Sequence, residues 1–300
     1  MKTQSLSVVV PTKGCINNCP FCISKMHSND YSENKFRNFA GIEKRLQYAK
    51  NNNINTLVLT GTGEPLQNKE FISDLYCSIY QINYNNTFPN MEIQTTGVFL
   101  SEYEEFYSED GNNNNLRKEY TNLNFLQGIN VNTISLSVCD IFDSNNNWNI
   151  MKTPKKLRTN LDDLCKLIKD YGFNLRLSIN LLNVYNEFIP EEIFERCKEL
   201  SADQVTFREL YSYDSGKESK WVLDNSCSYE AKQEIKKYIQ EFDPLYMLPF
   251  GATVYSVNEM SVVLDSDCMS KNSIDSFKYL IIREDGKLYC RWDDKGSLIF

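Results

Sequence analysis

Cys15, Cys19 and Cys22 stand in the short stretch CINNCPFC, at a C-x3-C-x2-C spacing. Three thiols are one short of the four ligands that close a structural zinc site, and His27 is near enough in sequence to supply the fourth. The same thiols can also be a redox pair with a bystander, or can hold an iron–sulfur cube with one iron left open. An open iron can take a substrate or cofactor, as the open position of a catalytic metal does. A second group is Gly61-Thr62-Gly63-Glu64-Pro65. Its glycines allow backbone to approach a ligand closely, and its carboxylate can pair with an ammonium. Taken alone, it reads equally well as a tight turn with a surface Glu.

Both groups need elements to hold them. Short β-rich runs fall at Leu6–Val10, Thr56–Thr60, Glu92–Thr95, Thr133–Val138, Asn174–Leu181 and Gln204–Leu210. Helical stripes lie between them: Ile42, Leu46 and Ala49; Ile72, Leu75, Tyr76 and Ile79; Leu161, Leu164, Cys165 and Ile168; Ile193, Cys197 and Leu200. Asn68 and Asn160 suit N-caps, Pro190 a first helical turn and Gly172 a stop. Six such repeats predict an α/β chain whose parallel sheet curls into a partial (β/α)6 barrel, with any active site at the C-terminal ends of the strands. The cysteine loop follows the first strand and the glycine segment ends the second, so both belong to that face.

The barrel is expected over residues 1–212 and a small C-terminal α+β extension over 213–300. The extension shows an amphipathic helix through Ile235, Tyr238, Ile239 and Phe242, strands at Thr253–Val257 and Ser261–Leu264, and a hairpin, KYLIIREDGKLYCRW, turned at Asp285-Gly286. The tracts Asn51–Asn53, Asn112–Asn115 and Asn145–Asn147 read as exposed loops without chemistry.

Composition narrows the function. With 41% hydrophobic residues in a chain of 300, a substantial core is available. No secretory leader and no apolar run long enough to cross a membrane is evident, so a cytoplasmic protein is expected, without membrane partners, and its ten cysteines are expected reduced. Forty acidic against 32 basic residues give a net charge of −8, which repels phosphate backbones, and no basic patch argues for a nucleic-acid partner.

The C-x3-C-x-aromatic-C loop, with Phe21 before Cys22, resembles the signature of the radical S-adenosylmethionine (radical SAM) superfamily. GTGEP is similar to that family's Gly-Gly-Glu-Pro segment, with Thr62 in place of the commoner first Gly. Further along, IQTTG at Ile93–Gly97 resembles a third-strand Thr-Asn-Gly segment with Thr96 replacing Asn, and ISLSVCD at Ile134–Asp140 a fourth-strand Ser-Leu-Asp segment. VTFREL at Val205–Leu210 and DGKLYC at Asp285–Cys290 resemble the branch that includes the molybdenum-cofactor GTP cyclase and its C-terminal auxiliary-cluster domains. That auxiliary pattern wants a close cysteine pair upstream, where this chain has only Cys268, so a second cluster is not expected.

The resemblance implies roles. Cys15, Cys19 and Cys22 would hold a [4Fe–4S] cluster whose fourth iron is chelated by S-adenosylmethionine (SAM). Glu64, with backbone groups at Thr62 and Gly63, would receive the SAM amino group; Phe21 would lie near the adenine and Ser135 would face the ribose. Thr96 belongs to the same cofactor-binding set, and Arg176 and Asn180, on a polar strand row with Ser178, are candidates for the SAM carboxylate and ribose. The implied activity is reductive cleavage of SAM to a 5′-deoxyadenosyl radical that abstracts a hydrogen atom, an oxidoreductase or lyase reaction fed by a donor such as flavodoxin or ferredoxin.

A small-molecule substrate, derived from a nucleotide or amino acid, suits a compact chain. A peptide-modifying epimerase or crosslinking maturase is the alternative, and a zinc-stabilised binding module using His27 is the non-enzymatic one. Of the other cysteines, Cys165 and Cys197 lie in apolar stripes and read as core, and Cys77 beside a stripe reads as structural. Cys139 alternates with Ser135 and Ser137, which makes it a candidate hydrogen donor to a substrate radical, although burial as a small hydrophobe is the more ordinary role.

Overall fold

A computed structural model of the chain describes residues 2–26, 41–82, 88–110, 113–212, 215–248, 251–265, 276–292 and 295–300. His27 and Cys268 lie outside the described residues. The elements run β1 (Lys2–Val10), α1 (Ile23–Met26), α2 (Ile42–Asn51), β2 (Thr56–Gly61), α3 (Lys69–Ile82), β3 (Asn90–Thr95), β4 (Glu104–Asp110), β5 (Asn113–Glu119), α4 (Thr121–Gly128), β6 (Thr133–Val138), α5 (Ser144–Ile150), α6 (Leu161–Asp170), β7 (Asn174–Asn180), α7 (Pro190–Glu199) and β8 (Gln204–Arg208). Beyond these come α8 (Lys217–Asn225), α9 (Tyr229–Gln240), β9 (Pro244–Met247), β10 (Thr253–Val257), β11 (Met260–Asp265), β12 (Ser276–Ile282) and β13 (Leu288–Tyr289).

The six predicted strands are β1, β2, β3, β6, β7 and β8, and they lie side by side in that order, all parallel. The chain after residue 212 joins the same sheet at both edges. β12 pairs parallel with β1, and β11 pairs parallel with β8, followed by antiparallel β10 and β9. β12 and β13 form the predicted hairpin, with Gly286 at φ +74° in its turn, a conformation that costs glycine little.

Period-two alternation sorts each strand into a helix side and a lumen side. Leu6, Val8 and Val10, then Ile134, Leu136 and Val138, then Leu175, Leu177 and Ile179 are at most 1% exposed and pack beneath the helices. Each such side chain contributes about 1.5–3 kcal/mol relative to exposure. The alternate residues form polar rows into the lumen: Thr133, Ser135 and Ser137 on β6, and Arg176, Ser178 and Asn180 on β7. The helix signals are realised locally. Asn160 accepts from the amides of Asp162 and Asp163, Asn68 accepts from the Phe71 amide, and Pro190 opens α7.

Two of the Asn tracts depart from the loop reading. The described part of the second, 113–115, forms β5 of the β4–β5 hairpin, whose polar sequence carries no apolar alternation to signal a strand. The third lies in α5, where Asn147 is fully buried and its Oδ1 accepts from the backbone amides of Cys139, at 2.8 Å, and Asp140. A buried side-chain amide satisfies backbone groups that leave the sheet at this point.

Candidate active site

A cavity of about 250 Å³ opens at the C-terminal ends of the parallel strands. It gathers Cys15, Cys19, Phe21, Cys22, Thr62, Gly63, Glu64, Thr96 and Asn180 from the sequence reading, and adds Gln94, Ser137, Met151, Arg208 and Glu209.

The cysteine loop is clamped to the segment after β2. Gln67 Oε1 accepts from the Ile16 amide at 2.8 Å, Gln67 Nε2 donates to the Gly14 carbonyl, and Asn68 Nδ2 donates to the Pro11 carbonyl at 2.6 Å. Gly63 sits inside this clamp. A Cβ there would collide with Thr12 Oγ1 and stand 2.6 Å from the Gly14 carbonyl oxygen, so only glycine permits the approach. Asn17, buried within the loop, donates to Thr96 Oγ1 at 2.8 Å and accepts from Thr153 Oγ1 at 2.9 Å. From the other side the Phe21 ring meets Trp221 of α8, with centroids 5.6 Å apart.

Glu64 is 2% exposed, which makes it a buried carboxylate at the cavity wall. Thr95 Oγ1 donates to Oε1 at 2.6 Å, while the Thr96 amide and Thr96 Oγ1 donate to Oε2 at 3.0 and 2.9 Å. These donors are neutral, and burial still pushes the Glu64 carboxyl above its ordinary range. A cation delivered to the cavity would supply the missing counter-charge.

Burial, followed by repulsion from Glu64 and then Cys22, raises Cys15, and burial with repulsion from Cys22 and Cys15 drives Cys19 up to about 12. Ionisation of Cys15 and Cys19 is thus disfavoured unless a cation arrives to offset it. Among the described residues no three His, Cys, Asp or Glu side chains converge on a single-ion position. A four-iron cube takes its thiolates at separate corners, and three thiols spread around one cavity suit it.

Four sequence expectations change. Ser135 lies on the correct face of β6 but one layer too low: it is buried, its Oγ has no hydrogen-bond partner, and Ser137 lines the cavity in its place. Arg176, level with Ser135 in the β6–β7 register, is likewise below the cavity, ion-paired with Glu92 and donating through Nε to Gln204 at 2.7 Å, while Asn180 reaches the mouth. A strand climbs about 3.3 Å per residue, so four residues separate the two by roughly 13 Å. Cys139 is 0% exposed, outside the cavity lining, and in contact with the Asn180 amide at 3.6 Å. β6 ends at Val138, so the alternation stops before Cys139. Cys77 is exposed, whereas Cys165 and Cys197 are core.

Sequence reasoning missed Ser137, Asn17, Arg208 and the neighbouring Glu284. For Ser137 and Arg208 a signal existed, a polar residue at the lumen-facing end of a strand; Asn17 and Glu284 carried none. Glu284, beyond β12, accepts from Thr62 Oγ1 and ties the C-terminal hairpin to the glycine segment.

A family model described as the radical SAM superfamily matches residues 9–197. Among solved structures, Streptococcus suis SuiB bound to S-adenosylmethionine aligns over 95% of this chain and 60% of its own, at 15% identity and a TM-score of 0.56. This chain thus spans about three fifths of that protein. Native anSMEcpe with bound AdoMet aligns over 96% of this chain and 74% of its own, at 16% identity and a TM-score of 0.61. The same enzyme with AdoMet and the Cp18Cys peptide aligns equally widely, at 14% identity and a TM-score of 0.58. A search of curated proteins returned no match.

Proposed function

We propose, from the premise that this chain belongs to the radical SAM superfamily, that it cleaves SAM reductively and abstracts a hydrogen atom from a small-molecule substrate. The observation that carries this reading is the meeting of three thiols, Glu64 and Asn180 in one cavity at the barrel mouth. Cys15, Cys19 and Cys22 would hold the [4Fe–4S] cluster, and Glu64, flanked by the Thr62 and Gly63 backbone, would take the ammonium of SAM. Phe21 would lie beside the adenine, and Ser137 and Asn180 would meet the ribose or carboxylate. When bound, the cluster and SAM supply an electron and an organic radical able to take hydrogen from carbon.

The chain's own work is positioning. Thr95 and Thr96 fix both oxygens of Glu64, and Asn17 couples that carboxylate to the cysteine loop through Thr96. The barrel wall keeps water from the reacting carbon, and a donor such as flavodoxin or ferredoxin would deliver the electron.

Anaerobic reconstitution tests the reading. About four irons and four sulfides per chain are expected, on the ligation logic of a single cube, together with 5′-deoxyadenosine from SAM and dithionite. Replacing Cys15, Cys19 and Cys22 together by Ala should abolish both. Bound zinc without iron or sulfide in anaerobically prepared protein would favour a zinc-stabilised module.

A peptide substrate is the second reading, and one observation favours it. β9 ends the sheet, and its Leu245, Tyr246 and Met247 are 51–69% exposed, an apolar edge to which an extended peptide can add as a strand. A precursor-peptide gene beside this one, and a peptide that binds the protein, would move the assignment to this class.

A further inference from the structure

A smaller chamber of about 160 Å³ adjoins the main cavity and shares with it Ile23 and Ser24, just after the cysteine loop, together with Thr60, Gly61, Thr62, Gln94 and Arg208. Its own walls are Ser7 and Val9 of β1, with Tyr279 of β12 and Trp292 just past β13. None of the three cluster cysteines lines it. The Tyr279 and Trp292 rings stand 6.5 Å apart at 69°, both packed on the cluster of Val9, Ile281 and Tyr289. Packing on both rings makes this an apolar corner of two rings set edge to face.

Arg208 ends β8 and lines the main cavity, this chamber and a third space lower in the lumen. Its Nε is buried and has no hydrogen-bond partner. Among the described side chains, Glu92 is ion-paired with Arg176 and Glu209 with Lys232 at 2.9 Å. A desolvated guanidinium N–H without an acceptor is costly, and the planar fork matches the two oxygens of a carboxylate or phosphate.

We propose that this chamber is the substrate subsite, holding an anionic oxygen group on Arg208 and a ring-sized apolar portion against Tyr279 and Trp292. The inference rests on the radical SAM reading, because cofactor filling the main cavity leaves the chamber beside it for the substrate. Its volume admits one ring-sized fragment, so a larger substrate enters with only that end.

Isothermal titration of anaerobically reconstituted, SAM-loaded protein with phenylacetate and phenyl phosphate tests it, with phenylacetamide as the neutral control. At least one anion should bind at millimolar concentration or below, and the tighter of the two identifies the group as carboxylate or phosphate. Arg208→Gln should weaken that anion roughly tenfold, the worth of one charge-assisted pair. Arg208→Lys should restore part of the loss, Trp292→Ala should weaken both anions, and phenylacetamide should not distinguish Arg208→Gln from the parent. SAM should still titrate into Arg208→Gln, with any weakening smaller than that of the anion.

Equal anion binding by parent and Arg208→Gln would overturn the proposal, as would no binding of either anion by the parent. Loss of SAM binding in Arg208→Gln with probe binding intact would also overturn it, by assigning Arg208 to the cofactor. Iron content and SAM titration of the parent are read first. Their failure would overturn the radical SAM reading itself, which separates the two results.

Discussion

Glu64 carries the heaviest electrostatic demand in the site, since it is buried and its hydrogen-bond donors are neutral. Glu64→Gln keeps the shape and removes the charge. It should leave the cluster in place and weaken SAM binding by about 1.5–3 kcal/mol, the worth of a charge-assisted hydrogen bond; equilibrium titration of SAM measures this, and unchanged affinity would reduce GTGEP to a turn. Cys139 is the opposite case, a thiol whose alternation pointed to the lumen but whose side chain is wholly enclosed. Cys139→Ala should cost on the order of 1 kcal/mol of stability through a small cavity and leave the ratio of product to 5′-deoxyadenosine unchanged. Formation of 5′-deoxyadenosine without the normal product would instead make it a hydrogen donor. The spacing of Cys15, Cys19 and Cys22 was legible in the sequence because chelation by one loop is local, and burial was already the more ordinary reading of Cys139; what the sequence did not carry is the set of groups that enclose it, Asn147 and Asn180 arriving from other elements.

Two junctions show how elements hold the site. The clamp between the cysteine loop and the segment after β2 closes over Gly63, where an added methyl would collide with Thr12 and the Gly14 carbonyl. Gly63→Ala should destabilise the protein by about 1–3 kcal/mol, as overpacking does, and lower the iron retained after reconstitution; urea unfolding and iron analysis read the two effects. Away from the site, Asp162 in the first turn of α6 pairs with Arg196 in the last turn of α7 at 2.8 Å. The Arg196 guanidinium holds the Asp162 carboxyl below its ordinary value of 3.8. Ionised Asp162 is thus favoured in the folded chain, so its contribution is present above 3.8 and is lost as pH falls through the lower folded value. Arg196 is only 16% exposed but Asp162 is 51% exposed, so solvent screens the pair from one side and Asp162→Asn should cost about 0.2–1 kcal/mol at neutral pH, less in high salt. Urea midpoints of parent and variant should converge as the pH drops below 3.8.

At the scale of the molecule, the last 25 residues complete the sheet, since β12 lies against β1 and thereby covers the strand that leads into the cysteine loop. Leu280, Ile281, Ile282 and Leu288 are all at most 1% exposed. Burying four such side chains is worth roughly 6–12 kcal/mol at about 1.5–3 each, comparable to the whole stability of an ordinary domain. Deletion of residues 276–300 should therefore yield insoluble chain or chain without a cooperative thermal transition; a soluble, cooperatively folding truncation would show that the edge of β1 needs no cover. By itself the sequence determined the six parallel strands, the helices between them and the loop of three thiols, because hydrophobic period, caps and chelate spacing are properties of adjacent residues. Only the tertiary structure decided which rung of each polar row meets the cavity. Ser135 and Ser137, or Arg176 and Asn180, share one face in any period-two reading, and their heights are separated only by the register of neighbouring strands. Tertiary structure likewise brought Tyr279, Glu284 and Trp292 to a site begun at Cys15, because the pairing of β12 with β1 joins residues more than 270 positions apart, and no local pattern encodes a contact of that span.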